Sequence, residues 1–317
     1  GMIGWILTAC GRDPTIMNGA VMKNFVAPNA PFASARVGQH DRQGGIFASE
    51  VDESDGSIAL YRPEVAILGN VTLDHKSLEE LRSLFGNFLA ASKVAVVNLD
   101  DPESAALTTH ANTLLSFGIE STEAIISVEL GSVIQWADAI EARVMDRRTI
   151  GSHHLVLNQP GRHNLYNALA ALAGCVALGV PLGEAVAALG DFAGLARRFD
   201  VVGETASGIT VIDDFGHNPD KVSATLSTLK SHPGRVIAFF QPHGYGPLRQ
   251  MGTELADVFA QLLGKDDIVI LCDPVYFGGT VDRSEGSERI VTLIRDHGGQ
   301  AEYIPSREEC GARIVEI

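Results

Sequence analysis

EVAILGNVTLDHKSLEELRSLFGNFLAASKVAVVNLDDP, residues 64–102, is the stretch on which the fold reading turns. Its first eight residues, EVAILGNV, are nearly all apolar, so a strand here has no face fit for water, which marks a central strand of a parallel sheet. The polar run TLDHK follows, then a helical pattern over residues 77–91, a second apolar strand over 93–98 and the turn LDDP. Strand, helix and strand in that order predict a parallel α/β architecture. Polar loops then fall at the C-terminal ends of the strands, where open α/β sheets bind ligands.

The same alternation extends in both directions. Upstream, residues 2–10 read as a helix closed by Gly11, and GIFASEV (45–51) as a second buried central strand that runs into the acidic loop DESDGS. Downstream, residues 127–157 alternate like antiparallel strands. The Ala- and Leu-rich run HNLYNALAALAGCVALGV (163–180) is a helix stopped by Gly179, and PLGEAVAALGDF (181–192) is another. A boundary near Gly194 predicts two domains, residues 1–193 and 194–317. The first is a mostly parallel sheet flanked by helices, with added antiparallel strands. In the second, ITVIDDF, RVIAFFQP and DIVILCDP are three strands separated by helices, a Rossmann-like α/β unit.

Composition narrows the function. A chain of 317 residues that is 45% apolar has material for two cores. A formal net charge of −15 without any basic run argues against a nucleic-acid partner, because neutralising phosphates takes clustered Lys and Arg. Nucleotide binding stays open, since backbone amides, a few cations and a metal hold a polyphosphate inside a negative field. Cys10, Cys175, Cys272 and Cys310 are too scattered for a disulfide framework or a zinc site. No run is apolar for long enough to span a membrane, and GMIGWILTACG makes a poor signal peptide, so the expected location is a reducing cytoplasm.

Three groups of residues carry the chemistry. Glu50, Asp52, Glu53 and Asp55 follow one strand, and Asp74 with His75 follows the next, a reasonable Mg²⁺ or Mn²⁺ site; the alternative is a solvated loop whose aspartates cap a helix. His163, Asn164 and Asn167 begin a helix whose amides suit a nucleotide, although Asn164 equally suits a plain N-cap. Asp213, Asp214 and His217 end one strand of the second domain, and Gln241, His243 and Tyr245 end the next. Arg197 and Arg198 fit a phosphate or an ordinary acidic surface partner.

Taken in order, EVDESDGS, NVTLDH, PGRHNLYNALAA, ARRFD, IDDFGHNP and FQPHGYG resemble the motif series of the Mur ligases. The likeness is greatest to the branch that acts on UDP-N-acetylmuramate with L-alanine or a murein peptide. The resemblance implies an ADP-forming ligase of peptidoglycan synthesis or recycling. ATP phosphorylates a carboxylate, an amino acid or short peptide amine displaces phosphate, and Mg²⁺ neutralises charge. By position, Glu50 and His75 match the family's metal ligands, and Asn164 and Asn167 its adenine-side and metal-side asparagines. His163 lies in that same motif. Arg198 and Asp214 match nucleotide-contacting residues, and His217 and His243 the amino acid pocket. The family's Gly-Lys-Thr loop belongs just before Met2, where only Gly1 stands, and its UDP-binding domain is not in the sequence, so little turnover is expected of this chain alone. Gly1 resembles a tag remnant, and the C-terminus looks short of a last strand. A non-catalytic nucleotide-binding remnant is the competing reading, and a folylpolyglutamate-type ligase a third, disfavoured by the DESD and QPH tracts. Gly244 and Pro247 stand where the L-alanine branch has arginines, with Arg249 later.

Overall fold

The computed structural model describes residues 1–39, 45–52, 56–71, 77–275 and 282–317. Contacts divide them into two compact units, Gly1–Asp213 and Asp214–Ile317.

The first unit opens with helix α1 (Met2–Ala9), which ends as expected at Gly11 in the left-handed region. Strands β1 (Thr15–Met17), β2 (Ala35–Arg36) and β3 (Phe47–Ser49) form a small sheet in the order β2-β1-β3, with β1 and β3 parallel. A seven-stranded sheet follows. Its parallel half contains β4 (Val65–Leu68), β5 (Val94–Asn98), β6 (Leu114–Gly118) and β7 (Ile126–Val128). Helix α2 (Leu78–Ala90) crosses from β4 to β5, and the short α3 (Pro102–Ala106) lies between β5 and β6. The antiparallel strands expected over 127–157 are present as β8 (Ile134–Gln135), β9 (Ile140–Asp146) and β10 (Ser152–Leu157).

Helix α4 (Arg162–Ala177) packs on this sheet through Leu165, Ala168, Leu169 and Leu172, all fully buried. Helix α5 (Leu182–Gly190) joins it in one core with Ile6, Leu7 and Phe117. Small side chains on α4 explain the close approach: a Cβ at Gly174 would stand 2.7 Å from Ile67 Cδ1.

The strands β11 (Asp200–Glu204) and β12 (Thr210–Asp213) form an antiparallel hairpin. Here the structure departs from the sequence reading. The strand expected to open the second domain pairs backwards with its immediate predecessor, because the turn through Thr205 and Gly208 makes that pairing the shortest loop to close. The hairpin belongs to the first unit. Lys23 Nζ meets Asp200 Oδ1 at 2.7 Å, and Ala196 N–H donates to the Val21 carbonyl. The contact division therefore falls after Asp213, later in the chain than Gly194.

The second unit begins with α6 (Pro219–Lys230), capped by the Asn218 side chain. Strands β13 (Ile237–Phe240), β14 (Ile268–Leu271) and β15 (Ala301–Tyr303) make a parallel sheet, with α7 (Tyr245–Leu262), α8 (Ser287–Asp296) and α9 (Arg307–Glu316) around it. β15 went unread in the sequence because AEY is too short and polar to show a period. The core gathers Val269, Leu271, Phe259 and Ile290, with Cys272 and Cys310 buried in a smaller cluster. Every cysteine is a free thiol, and burial pushes Cys175 up to about 12 and Cys272 up to about 11.

Candidate active site

In the first unit the loops at the C-terminal ends of β4, β5 and β6 are bound into one layer by carboxylates and amides. The Asp100 carboxylate accepts the N–H groups of Ile119 (2.6 Å), Glu120 (2.8 Å) and Ser121 (2.7 Å) and the Tyr166 hydroxyl (3.0 Å). Asp101 Oδ2 caps α3 through Ser104 N–H and also accepts Val71 N–H, while Asn98 Nδ2 donates to the Gly69 carbonyl. Burial and the bond to Asp100 raise the Tyr166 pKa, so the phenol stays a donor.

Onto this layer the first two turns of α4 bring His163, Asn164 and Asn167. The chain enters α4 at Gly161 with φ 97°, a region that favours glycine, and Arg162 pairs with Glu120. Asn164 is not the N-cap. That position is Gly161, and Asn164 Nδ2 instead donates to the Pro160 carbonyl (2.8 Å), which pins the Pro-Gly turn from inside. His163 is half-buried and Asn167 exposed.

Glu50 stands exposed just beyond β3, and its Oε2 accepts the Gly19 N–H at 2.7 Å. A carboxylate oxygen is the donor that Mg²⁺ prefers, so Glu50 fits a ligand role. His75, Asp74, Glu53 and Asp55 lie outside the described residues. Among the described residues, no three His, Cys, Asp or Glu side chains are grouped as a metal cage. Arg198 is half-buried in the first unit, beside Arg197, whose guanidinium pairs with Asp213 at 3.3 Å.

In the second unit Asp214, His217 and His243 come together. Asp214 Oδ1 accepts Gly216 N–H (2.8 Å) and Thr225 Oγ1–H (3.1 Å), which shapes the turn leading into α6. The Phe215 ring lies edge-on to both imidazoles, 5.4 Å from His217 and 6.1 Å from His243, and those two are 6.5 Å apart. His217 Nδ1 lies 3.0 Å from the Phe215 carbonyl, which can only accept, and Nε2 lies 3.3 Å from the Lys221 ammonium, which can only donate. Those partners suit a neutral imidazole with its proton on Nδ1. His243 is exposed and is followed by Gly244, φ 124°, where the chain turns into α7.

Elsewhere in the second unit, Gln241 Nε2 donates to the Asp273 carbonyl, and Tyr303 Oη–H donates to Asp273 Oδ1 at 2.6 Å. That bond and burial push Tyr303 up to about 12. Asp100, Tyr166 and Lys221 were not singled out in the sequence. Lys221 was findable, since it follows His217 by four positions across the start of a helix.

Comparison with known proteins identifies the family. Residues 34–175 match the profile of the Mur ligase middle domain, and residues 197–317 that of the Mur ligase glutamate ligase domain. The chain belongs to the Mur ligase family. It is similar to the UDP-N-acetylmuramate–L-alanine ligases of Synechococcus sp. (33% identity over 96% of this chain and 57% of the relative) and Clavibacter michiganensis (33% over 100% and 64%). This Mur ligase chain thus spans about three fifths of the length of those relatives. In fold it is similar to the crystal structure of UDP-N-acetylmuramate–alanine ligase from Thermotoga maritima, with TM-score 0.75 and 24% identity over 98% of this chain and 65% of that one. The murein peptide ligase of Psychrobacter arcticus gives TM-score 0.69 at 22% identity over 99% and 68%.

Proposed function

We propose that this chain supplies the middle and C-terminal domains of an ATP-dependent, ADP-forming ligase that joins L-alanine to UDP-N-acetylmuramate in cytoplasmic peptidoglycan synthesis. The observation that carries this reading is the similarity, along almost the whole chain, to L-alanine ligases named for that reaction. The substrates are small molecules, and neither a nucleic acid nor a membrane enters the reaction.

The first unit takes the nucleotide. Asn164, Asn167 and His163 lie on the first two turns of α4, beside loops held still by Asp100, so they meet a base and its phosphates without reorganising. Glu50 and His75 are the residues assigned to Mg²⁺, which when bound neutralises phosphate charge. Arg198 and Asp214 are assigned to the nucleotide as well.

The second unit takes the amino acid. Lys221 attracts its carboxylate. His217 Nε2, an acceptor in the neutral ring, receives one ammonium proton, which leaves the amine lone pair free, and His243 receives the second as the amide forms. The carboxylate oxygen of the muramyl substrate attacks the γ-phosphorus and ADP departs. The amine then attacks the acyl carbon and phosphate departs.

The test couples ADP release to each substrate, in the 317-residue chain and in a version extended upstream through its reading frame. ADP release that requires both UDP-N-acetylmuramate and L-alanine supports the reading. Release with a different amino acid, or with none in either version, overturns it.

A further inference from the structure

Two cysteines meet inside the second unit. β14 alternates its side chains, so Val269 and Leu271 enter the main core while Ile270, with Cys272 just past the strand, faces the other way. Cys310 reaches that second face from the first turn of α9, and both cysteines are fully buried. Cys310 Sγ lies 3.4 Å from the Ile304 carbonyl, and Ile304 N–H in turn bonds to the carbonyl of Leu271, the residue before Cys272. The two thiols are within hydrogen-bonding reach of each other. The proposed ligase reaction uses neither.

Access to the pair depends on α9. Cys310 is the buried residue of that helix, with Ile314 and Ile317 half-buried beside it and the other side chains turned outward. The remaining ties lie near the surface: Arg313 grips Glu302 at 2.8 Å, and Arg235 Nη1 donates to the Ile317 carbonyl at 2.9 Å. Surface ion pairs contribute little, so α9 opens at a lower cost than the sheet beneath it. While it is closed, burial raises both thiols, Cys272 to about 11, and holds back the thiolate that attacks a disulfide. Opening wets Cys310 first, since it moves with the helix.

We propose that Cys272 and Cys310 are a modification site, a thiol pair that a small-molecule disulfide converts into an internal disulfide stapling α9 to the end of β14. The Cys310 thiolate attacks one sulfur of the small disulfide, forms a mixed disulfide and expels one thiolate. The Cys272 thiolate then attacks the Cys310 sulfur, forms the internal S–S bond and expels the second. The protons of both cysteines end on the two released thiols, and the electron pair lost by the cysteines reduces the small disulfide. Asp273, next in the chain, receives Gln241 and Tyr303, and Val275 N–H donates to the Pro242 carbonyl beside His243. The staple therefore restrains the root of the loop that packs against the His243 loop.

The chemistry is independent of which reaction the chain catalyses. The 317-residue chain is incubated with about a tenfold excess of oxidised over reduced glutathione, in urea below the onset of unfolding so that α9 opens. Peptide mass mapping is expected to show Cys272 linked to Cys310, and the calorimetric transition of the second unit rises by at least about 5 °C. Dithiothreitol reverses both changes. In Cys310→Ala, and in Cys310→Ser run beside it in case the smaller side chain loosens the unit, the oxidant leaves the transition where it was. Both thiols remaining free, a glutathione on each, or a link from either to Cys10 or Cys175 would overturn the proposal. A Cys272–Cys310 link that fails to raise the transition would overturn the staple as well.

Discussion

Asp100 shows how one carboxylate holds a strand-end layer. Three backbone N–H groups and a phenol converge on it, and charged acceptors make hydrogen bonds worth about 1.5–3 kcal/mol each where the partners are shielded. Asp100→Ala is expected to lower the stability of the first unit by about 2–4 kcal/mol and Tyr166→Phe by about 1 kcal/mol, measured by urea unfolding. Equal losses for both would mean that the amide bonds carry nothing. Asp267 plays a similar part in the second unit. It is 2% exposed, receives Lys230 Nζ at 2.7 Å and accepts the N–H groups of Val236 and Gly264. Burial raises its pKa, but Lys230 and the two amides outweigh that, and the net shift is downward. A depressed carboxylate contributes stability above its unfolded value near 3.9, and that stability is lost as pH falls through the lower folded value. Asp267→Asn should therefore flatten the acid limb of the stability profile, and an unchanged limb would rule out this assignment. At the rings, Lys221→Met is expected to raise KM for the amino acid at least about tenfold with a smaller change in kcat, because it removes a carboxylate partner and leaves His217 in place. A fall in kcat alone would assign Lys221 to the chemistry instead.

At the scale of elements, helix α2 is held by its N-terminal cap as well as by its buried face. Ser77 accepts Glu80 N–H while Glu80 returns a bond to Ser77 N–H, a reciprocal cap that satisfies two otherwise orphaned donors. Ser77→Ala is expected to cost about 1 kcal/mol, read as a shift in the unfolding midpoint of the first unit. Helices α1, α2, α4, α5 and α6 were legible in the sequence, because a 3.6-residue apolar period ended by glycine or begun by Asn-Pro is a local signal. The segments VAIL and VAVVN were legible as strands for the same reason. Their rank in the sheet was not. VAIL reads as a central strand, and among the described residues it pairs with β5 alone. ITVID reads as part of the second domain, and it pairs in a hairpin with the strand before it. Both outcomes depend on which strand edges are near one another, and no residue in either segment encodes that.

For the whole molecule, two separate cores imply two unfolding events. Leu172 is fully buried in the core of the first unit and Phe259 is 2% exposed in that of the second. Leu172→Ala should lower one calorimetric transition and Phe259→Ala the other, each by about 3–5 kcal/mol. A single transition shifted by both would show one cooperative unit. The α/β class, the antiparallel strands after residue 127 and the motif order that marks the family were set by the sequence alone, since composition, apolar period and turn residues act over a few positions. It also placed Asn164, Asn167, His217 and His243 at helix starts and strand ends. Only the tertiary structure decided that His243 comes beside Phe215 and His217, and that Asp100 ties the loops after β5 and β6 to α4. Those facts rest on contacts between residues distant along the chain, whose closeness follows from how the sheets pack.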